Sequence, residues 1–150
     1  MKNQYQVSDL VPHTGTMSLL SEILDYGDDW LRAKVNISPD SLFVEEKGVP
    51  AVIGLEYLAQ TIAAYAGLQE KSKGTHPKLG FLLGARKYVS STEYFPIGEA
   101  LVIFIQLEMQ AASGLGAFNC ELKGGACEAT ARLNVFQPNN TEKFLQENGK

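Results

Sequence analysis

One carboxylate stands alone in the longest uncharged stretch of the chain. Between Gly48 and Gln69 the sequence reads GVPAVIGLEYLAQTIAAYAGLQ, and Glu56 is its only charge. A carboxylate on an apolar helix costs free energy unless it is paired, neutralised or used. Surface helices normally carry several charges on their outer face. The stretch therefore reads as a buried helix, with Glu56 as the first candidate for acid–base chemistry. An apolar setting favours the protonated carboxyl, which suits an acid working near neutral pH. The competing reading is a buried glutamate tied to a backbone or arginine partner across a dimer interface. Gln60, one helical turn on, is spaced either to orient Glu56 or to line a packing seam. The only histidines are His13 and His76. His13 can act as a base or can shape an N-terminal turn. His76 lies in a Gly-Thr-His-Pro loop that suits exposure better than catalysis. Arg86 and Lys87 follow a strand end, where they would meet a phosphate or simply face water.

Several elements must position these groups. Pro50 opens the central helix, where its missing N–H costs nothing, and the helix is expected from about Ala51 to Lys71. Ser8 to about Leu24 reads as a loop leading into a short helix, MSLLSEIL. Trp30 to Ile37 alternates, with Leu31, Ala33, Val35 and Ile37 on one side, and reads as a half-buried strand. SPDS (38–41) has turn chemistry, and Phe43-Val44 starts a further short element. Lys78 to Val89 reads as a strand with glycine interruptions, and FPIGE (95–99) as a turn.

Three more strands follow, at Leu101–Gln110, Ala117–Lys123 and Ala126–Phe136. A two-residue turn at Gly124-Gly125 would place Cys120 opposite Ala129 and Leu122 opposite Cys127. A turn at Gly114-Leu115 would place Met109 opposite Cys120. In both registers inward residues meet inward residues, as a one-sided sheet requires. Cys120 and Cys127 are not opposed, so they read as small core residues rather than a disulfide. No histidine or further cysteine lies near them to complete a metal site.

Composition narrows the function. The chain has 150 residues, 45% hydrophobic and 20% charged, with a net charge of -4. That suits one domain spanning 1–150, with a core from about 8 to 137 and a polar tail over 138–150. Basic residues are scattered, so no nucleic-acid footprint is visible. The start, MKNQYQVSDLVPHTG, lacks the apolar core of a signal peptide. Glu56, Tyr57, Gln60 and Thr61 argue against a membrane span over 48–69. A cytoplasmic protein is expected.

An antiparallel sheet with one apolar face needs a cover, and the single long apolar helix is available. The expected fold is α+β: a hotdog fold, a curved antiparallel sheet wrapped around one long central helix. Such domains usually dimerise. The segment Pro50-Ala51-Val52-Ile53-Gly54-Leu55-Glu56-Tyr57-Leu58-Ala59-Gln60 resembles the helix start of the hotdog 3-hydroxyacyl-(acyl carrier protein) dehydratases of fatty acid synthesis. Val11-Pro12-His13, Phe81-Leu82-Leu83-Gly84, Pro96–Glu99 and Cys127-Glu128-Ala129 match further landmarks in order. The segments VPHTGTM, KLGFLLGARKY and ARLNVFQP add a likeness to the dehydratase-type proteins of bacterial aryl polyene pigment clusters. One departure stands out. The fatty acid dehydratases place a catalytic histidine in a Gly-His-Phe-Pro loop before the helix. Here Phe43 to Pro50 contains no histidine, and the loop is shorter.

The resemblance implies dehydration of a 3-hydroxyacyl thioester carried by acyl carrier protein. That reaction needs a base, donors for the enolate oxygen and an acid for the departing hydroxyl. Backbone N–H groups near Ala51 and Val52 would serve as donors, with Gly54 allowing close approach. Glu56 and His13 would supply acid and base, and Gln60 would orient Glu56. No cofactor is implied beyond the substrate's phosphopantetheine arm on the carrier protein or CoA. A hotdog thioesterase is the alternative enzyme. A third reading is a degenerate subunit that binds acyl carrier protein or completes a heterodimer with another hotdog dehydratase; a homodimer is equally compatible.

Overall fold

The computed structural model describes residues 5–7, 19–72 and 81–136. Six strands form one antiparallel sheet in the order β1-β2-β6-β7-β8-β4. They are β1 (Glu22–Tyr26), β2 (Trp30–Asn36), β4 (Phe81–Ser90), β6 (Ala100–Gln110), β7 (Leu115–Gly124) and β8 (Cys127–Phe136). A two-residue pair, β3 (Val49–Pro50) and β5 (Tyr94–Phe95), forms a separate ribbon. A 3₁₀ turn over Ala51–Ile53 leads into the helix α1, Gly54–Ser72.

Alternation explains which sheet face is apolar. Leu31, Ala33 and Val35 of β2, Leu101, Ile103 and Ile105 of β6, and Cys120 and Leu122 of β7 are all buried. So are Ala129 and Leu133 of β8. Tyr57, Leu58, Thr61, Ile62 and Leu68 of α1 complete the core from the other side. The stretch Ala51–Gln69 is long and apolar enough to cross a bilayer, but 61% of it is buried within the fold. Its apolarity thus answers to the sheet around it. This is the expected hotdog arrangement.

Four expectations are corrected. Glu22–Tyr26 is a strand rather than the end of a short helix. Phe43-Val44 starts no strand: Phe43 takes φ 68 in a turn closed by the Val44 N–H donating to the Ser41 carbonyl at 3.1 Å, and a Glu45–Gly48 bridge closes the next turn. The β7–β8 turn lies one residue later, at Gly125-Ala126, because Gly124 pairs with Cys127 and Gly125 supplies φ 55. Cys120 therefore faces Ala131, and Leu122 faces Ala129. The β6–β7 loop is longer than expected, so Cys120 also faces Ile105, and a register break between Leu107 and Met109 leaves Met109 48% exposed. Each slip is even outside that break, so the inward set is preserved. Both cysteines are buried free thiols.

Candidate active site

The site begins where the β3–β5 ribbon delivers the chain into α1. Pro50 stands at the N-cap and provides no side-chain cap for the first turn. Val49 pairs with Phe95 and Pro50 with Tyr94, which fixes the entry direction. The Ala51 peptide is then held on both sides. Its N–H donates to the Glu93 carbonyl at 2.8 Å. Its carbonyl accepts a hydrogen bond from the Tyr88 hydroxyl. Ala51 was expected to offer its N–H to a substrate; the structure corrects this, because that N–H is already used. Val52, 63% exposed, is the next residue along.

Gly54 is buried beneath Tyr88. A Cβ there would collide with the Tyr88 hydroxyl and lie 3.2 Å from the Phe95 ring. Close approach at Gly54 is thus used by the protein's own tyrosine. Burial pushes the Tyr88 phenol up to about 12. Tyr57, packed 6.1 Å from Phe95 between ring centroids, is pushed up to about 12 by burial and by the neighbouring Tyr88. Both phenols therefore stay protonated across the working range.

Glu56 lies on the opposite side of α1 from the sheet and is exposed. The expectation of a carboxyl buried in its own chain is corrected: this side chain is open to solvent. Gln60, expected to orient Glu56, is only 3% exposed. Its side-chain N–H reaches the Glu56 carboxylate at 3.5 Å, a long contact. Its oxygen accepts the Leu19 N–H at 2.9 Å. Gln60 thus links Glu56 to the chain entering β1. His13 and His76 lie outside the described residues, so the structure does not place a His13–Glu56 pair.

A hollow of about 330 Å³ opens beside this region, between Leu19–Ser21, the end of β2 and the 40–42 turn, with Tyr57 in its wall. Larger hollows of about 650 and 520 Å³ lie around Phe104 and Gln106 on the outer sheet face. Three of their cations are engaged already: Arg32 with Asp25, Lys123 with Glu121 and Arg132 with Glu108, while Lys87 also lines the second hollow. The Arg32 hydrogen bond holds the Asp25 carboxyl below its ordinary value. Glu56 lines neither hollow. Among the described residues no group of three or more His, Cys, Asp or Glu side chains could hold a metal. Sequence reasoning missed Tyr88 and Glu93, whose roles come from contacts distant in sequence.

Comparison with known proteins bears on this geometry. Among solved structures, the dehydratase heterocomplex ApeI:P from Xenorhabdus doucetiae contains a chain 28% identical, with a TM-score of 0.84. The match covers 97% of this chain and 99% of that one. The E. coli PaaI protein from the phenylacetic acid degradation operon is 11% identical with a TM-score of 0.59, covering 76% and 80% of the two chains. A hypothetical thioesterase with coenzyme A from Streptococcus pneumoniae is 16% identical with a TM-score of 0.59, covering 77% and 84%. The last two show the fold alone, and it is the hotdog fold. A search of curated protein sequences gives no match. The ApeP-like profile, described as ApeP dehydratase, matches residues 5–146. With the helix start, its lone glutamate and the whole described sheet inside that match, the chain belongs to the ApeP-like dehydratase family.

Proposed function

We propose that the protein dehydrates a 3-hydroxyacyl thioester presented on the phosphopantetheine arm of an acyl carrier protein, giving the 2-enoyl thioester. We further propose that it does so against a second hotdog subunit. The observation that carries this reading is the position of Glu56: an exposed carboxylate at the start of an otherwise buried helix, touched by a buried glutamine and uncovered by its own chain. The heterocomplex formed by the ApeI:P relative supports a partner of the same fold on that face.

The chemistry follows from the groups present. A base removes the proton beside the thioester carbonyl, and charge moves onto the carbonyl oxygen. The positive end of α1 and a first-turn N–H stabilise that oxygen. Glu56, protonated once the partner subunit encloses it, gives that proton to the departing hydroxyl, which leaves as water. The base is His13 or a residue of the partner subunit, because the loop from Ile37 to Pro50 carries no histidine. Each step is a proton transfer or an elimination, so the substrate's own arm is the only carrier the reaction needs.

The test is mass spectrometry on 3-hydroxyacyl-carrier-protein, with this chain alone and mixed with a hotdog dehydratase subunit. Loss of one water with wild type but not with Glu56→Gln is expected, with a rate drop of at least about a hundredfold. Release of free thiol would instead identify a thioesterase. An intact 3-hydroxyacyl thioester in both arms would sink the dehydratase reading.

A further inference from the structure

The geometry points to Tyr88 as the positioning residue of this site, fixing the Ala51 peptide so that the Val52 N–H is the donor presented to the substrate carbonyl. The inference rests on the dehydratase reading above. It starts from one extra residue in β4. Ala85 pairs with Leu133 and Arg86 with Arg132, but the next pairs are Val89 with Thr130 and Ser90 with Ala129. Two residues, Lys87 and Tyr88, thus oppose Ala131 alone, and Lys87 takes φ 56. A bulge of this kind shifts the inside–outside alternation by one. In unbroken alternation from Ala85, Lys87 would share the face of Leu133 and Tyr88 would point away. The bulge exchanges them: Lys87 is exposed, and Tyr88 reaches over the helix start.

What it reaches is specific. The Tyr88 hydroxyl donates to the Ala51 carbonyl, and the missing side chain at Gly54 leaves room for it. Glu93, five residues further along the same chain segment, accepts the Ala51 N–H. One segment therefore grips both the N–H and the carbonyl of Ala51, and that carbonyl shares its peptide plane with the Val52 N–H. Ala51 N–H is removed from the set of available donors. Val52 follows it in the first turn, where an N–H has no partner a turn earlier in the helix, and it lies on the exposed surface that Glu56 shares. Rigidly placed donors are what stabilise a developing oxyanion; a donor free to tilt does so less well.

The experiment measures kcat and KM for loss of water from 3-hydroxyoctanoyl-pantetheine, using the full chain with its hotdog partner where one is needed. Tyr88→Phe keeps the ring and removes only the hydroxyl. Its kcat is expected to fall between about tenfold and a hundredfold, with KM within about twofold of wild type. Val52→Pro removes the N–H, and its kcat is expected to fall at least about a hundredfold. Val52→Ala keeps the N–H and serves as the side-chain control, its kcat expected at least about tenfold above that of Val52→Pro. Equal kcat for Tyr88→Phe and wild type would overturn the inference, as would equal kcat for Val52→Pro and Val52→Ala. If Val52→Pro does not fold, the Tyr88→Phe result decides alone. A wild type that removes no water in any pairing overturns the dehydratase reading and the inference with it, an outcome distinct from an active wild type with indifferent variants.

Discussion

Gly54 and Tyr88 share one small volume, and that fact sets what the helix start tolerates. In Gly54→Ala the new methyl would meet the Tyr88 hydroxyl and the Phe95 ring. Overpacking of this kind costs roughly 1–3 kcal/mol. The better helix propensity of alanine offsets at most about 1 kcal/mol of it. A lower midpoint in chemical denaturation is expected, together with a fall in kcat as Tyr88 leaves Ala51. An unchanged midpoint would mean the ring moves aside freely. At this scale Glu56 was legible because a lone charge in an apolar run is a local fact. Its exposure was not, because exposure depends on which face of α1 the chain's own sheet covers. Ala51 was misjudged for a related reason. Whether an N–H is free depends on its partner, and Glu93 lies across the fold in a turn with no pattern of its own.

Elements were legible to the extent that their periodicity is unbroken. β2, β6, β7, β8 and α1 all follow clean alternation or a long apolar run, and all stand close to where they were expected. β1 was read as helix because the spacing of Leu19, Leu20 and Ile23 fits a helical face as well as a strand. In the structure its pairing with β2 is itself interrupted between Ile23 and Asp25. Hairpin registers slipped because alternation specifies only the parity of a pairing, while the turn specifies its length. The bulge in β4 was invisible for the same reason, since nothing in ARKYVS marks the extra residue. It yields a prediction at this scale. Exchange of the two bulge residues, Lys87→Tyr together with Tyr88→Lys, keeps the register and moves the phenol to the outer face. Dehydration should fall at least as far as in Tyr88→Phe, while circular dichroism still reports a folded sheet and helix. Activity retained in the exchanged variant would show that the phase of β4 is unimportant.

The whole molecule should respond to alkali through its buried acids. Tyr57 and Tyr88 are pushed up to about 12 from 10.0, and Cys120 to about 12 from 9.0, each chiefly by burial. The folded state favours the protonated forms of these groups, so the unfolded chain releases their protons first. Their contribution is fully present below the unfolded values and is lost as pH rises through the folded ones. Denaturation midpoints are therefore expected to hold up to about pH 9 and to decline between about pH 9 and 12, with a shallower decline in Tyr57→Phe. A flat profile to pH 12 would contradict this. The sheet also has a consequence for the life of the chain in a cell. Among the described residues it ends at β4, whose outer side pairs with no strand and where Val89 is 62% exposed. An uncovered edge of ten residues is a template for the wrong strand as well as the right one. A copy whose edge stays unpaired would be aggregation-prone and a natural target for quality control. Were the second subunit proposed above to cover that edge, its matched synthesis would protect this protein as much as any bond inside it.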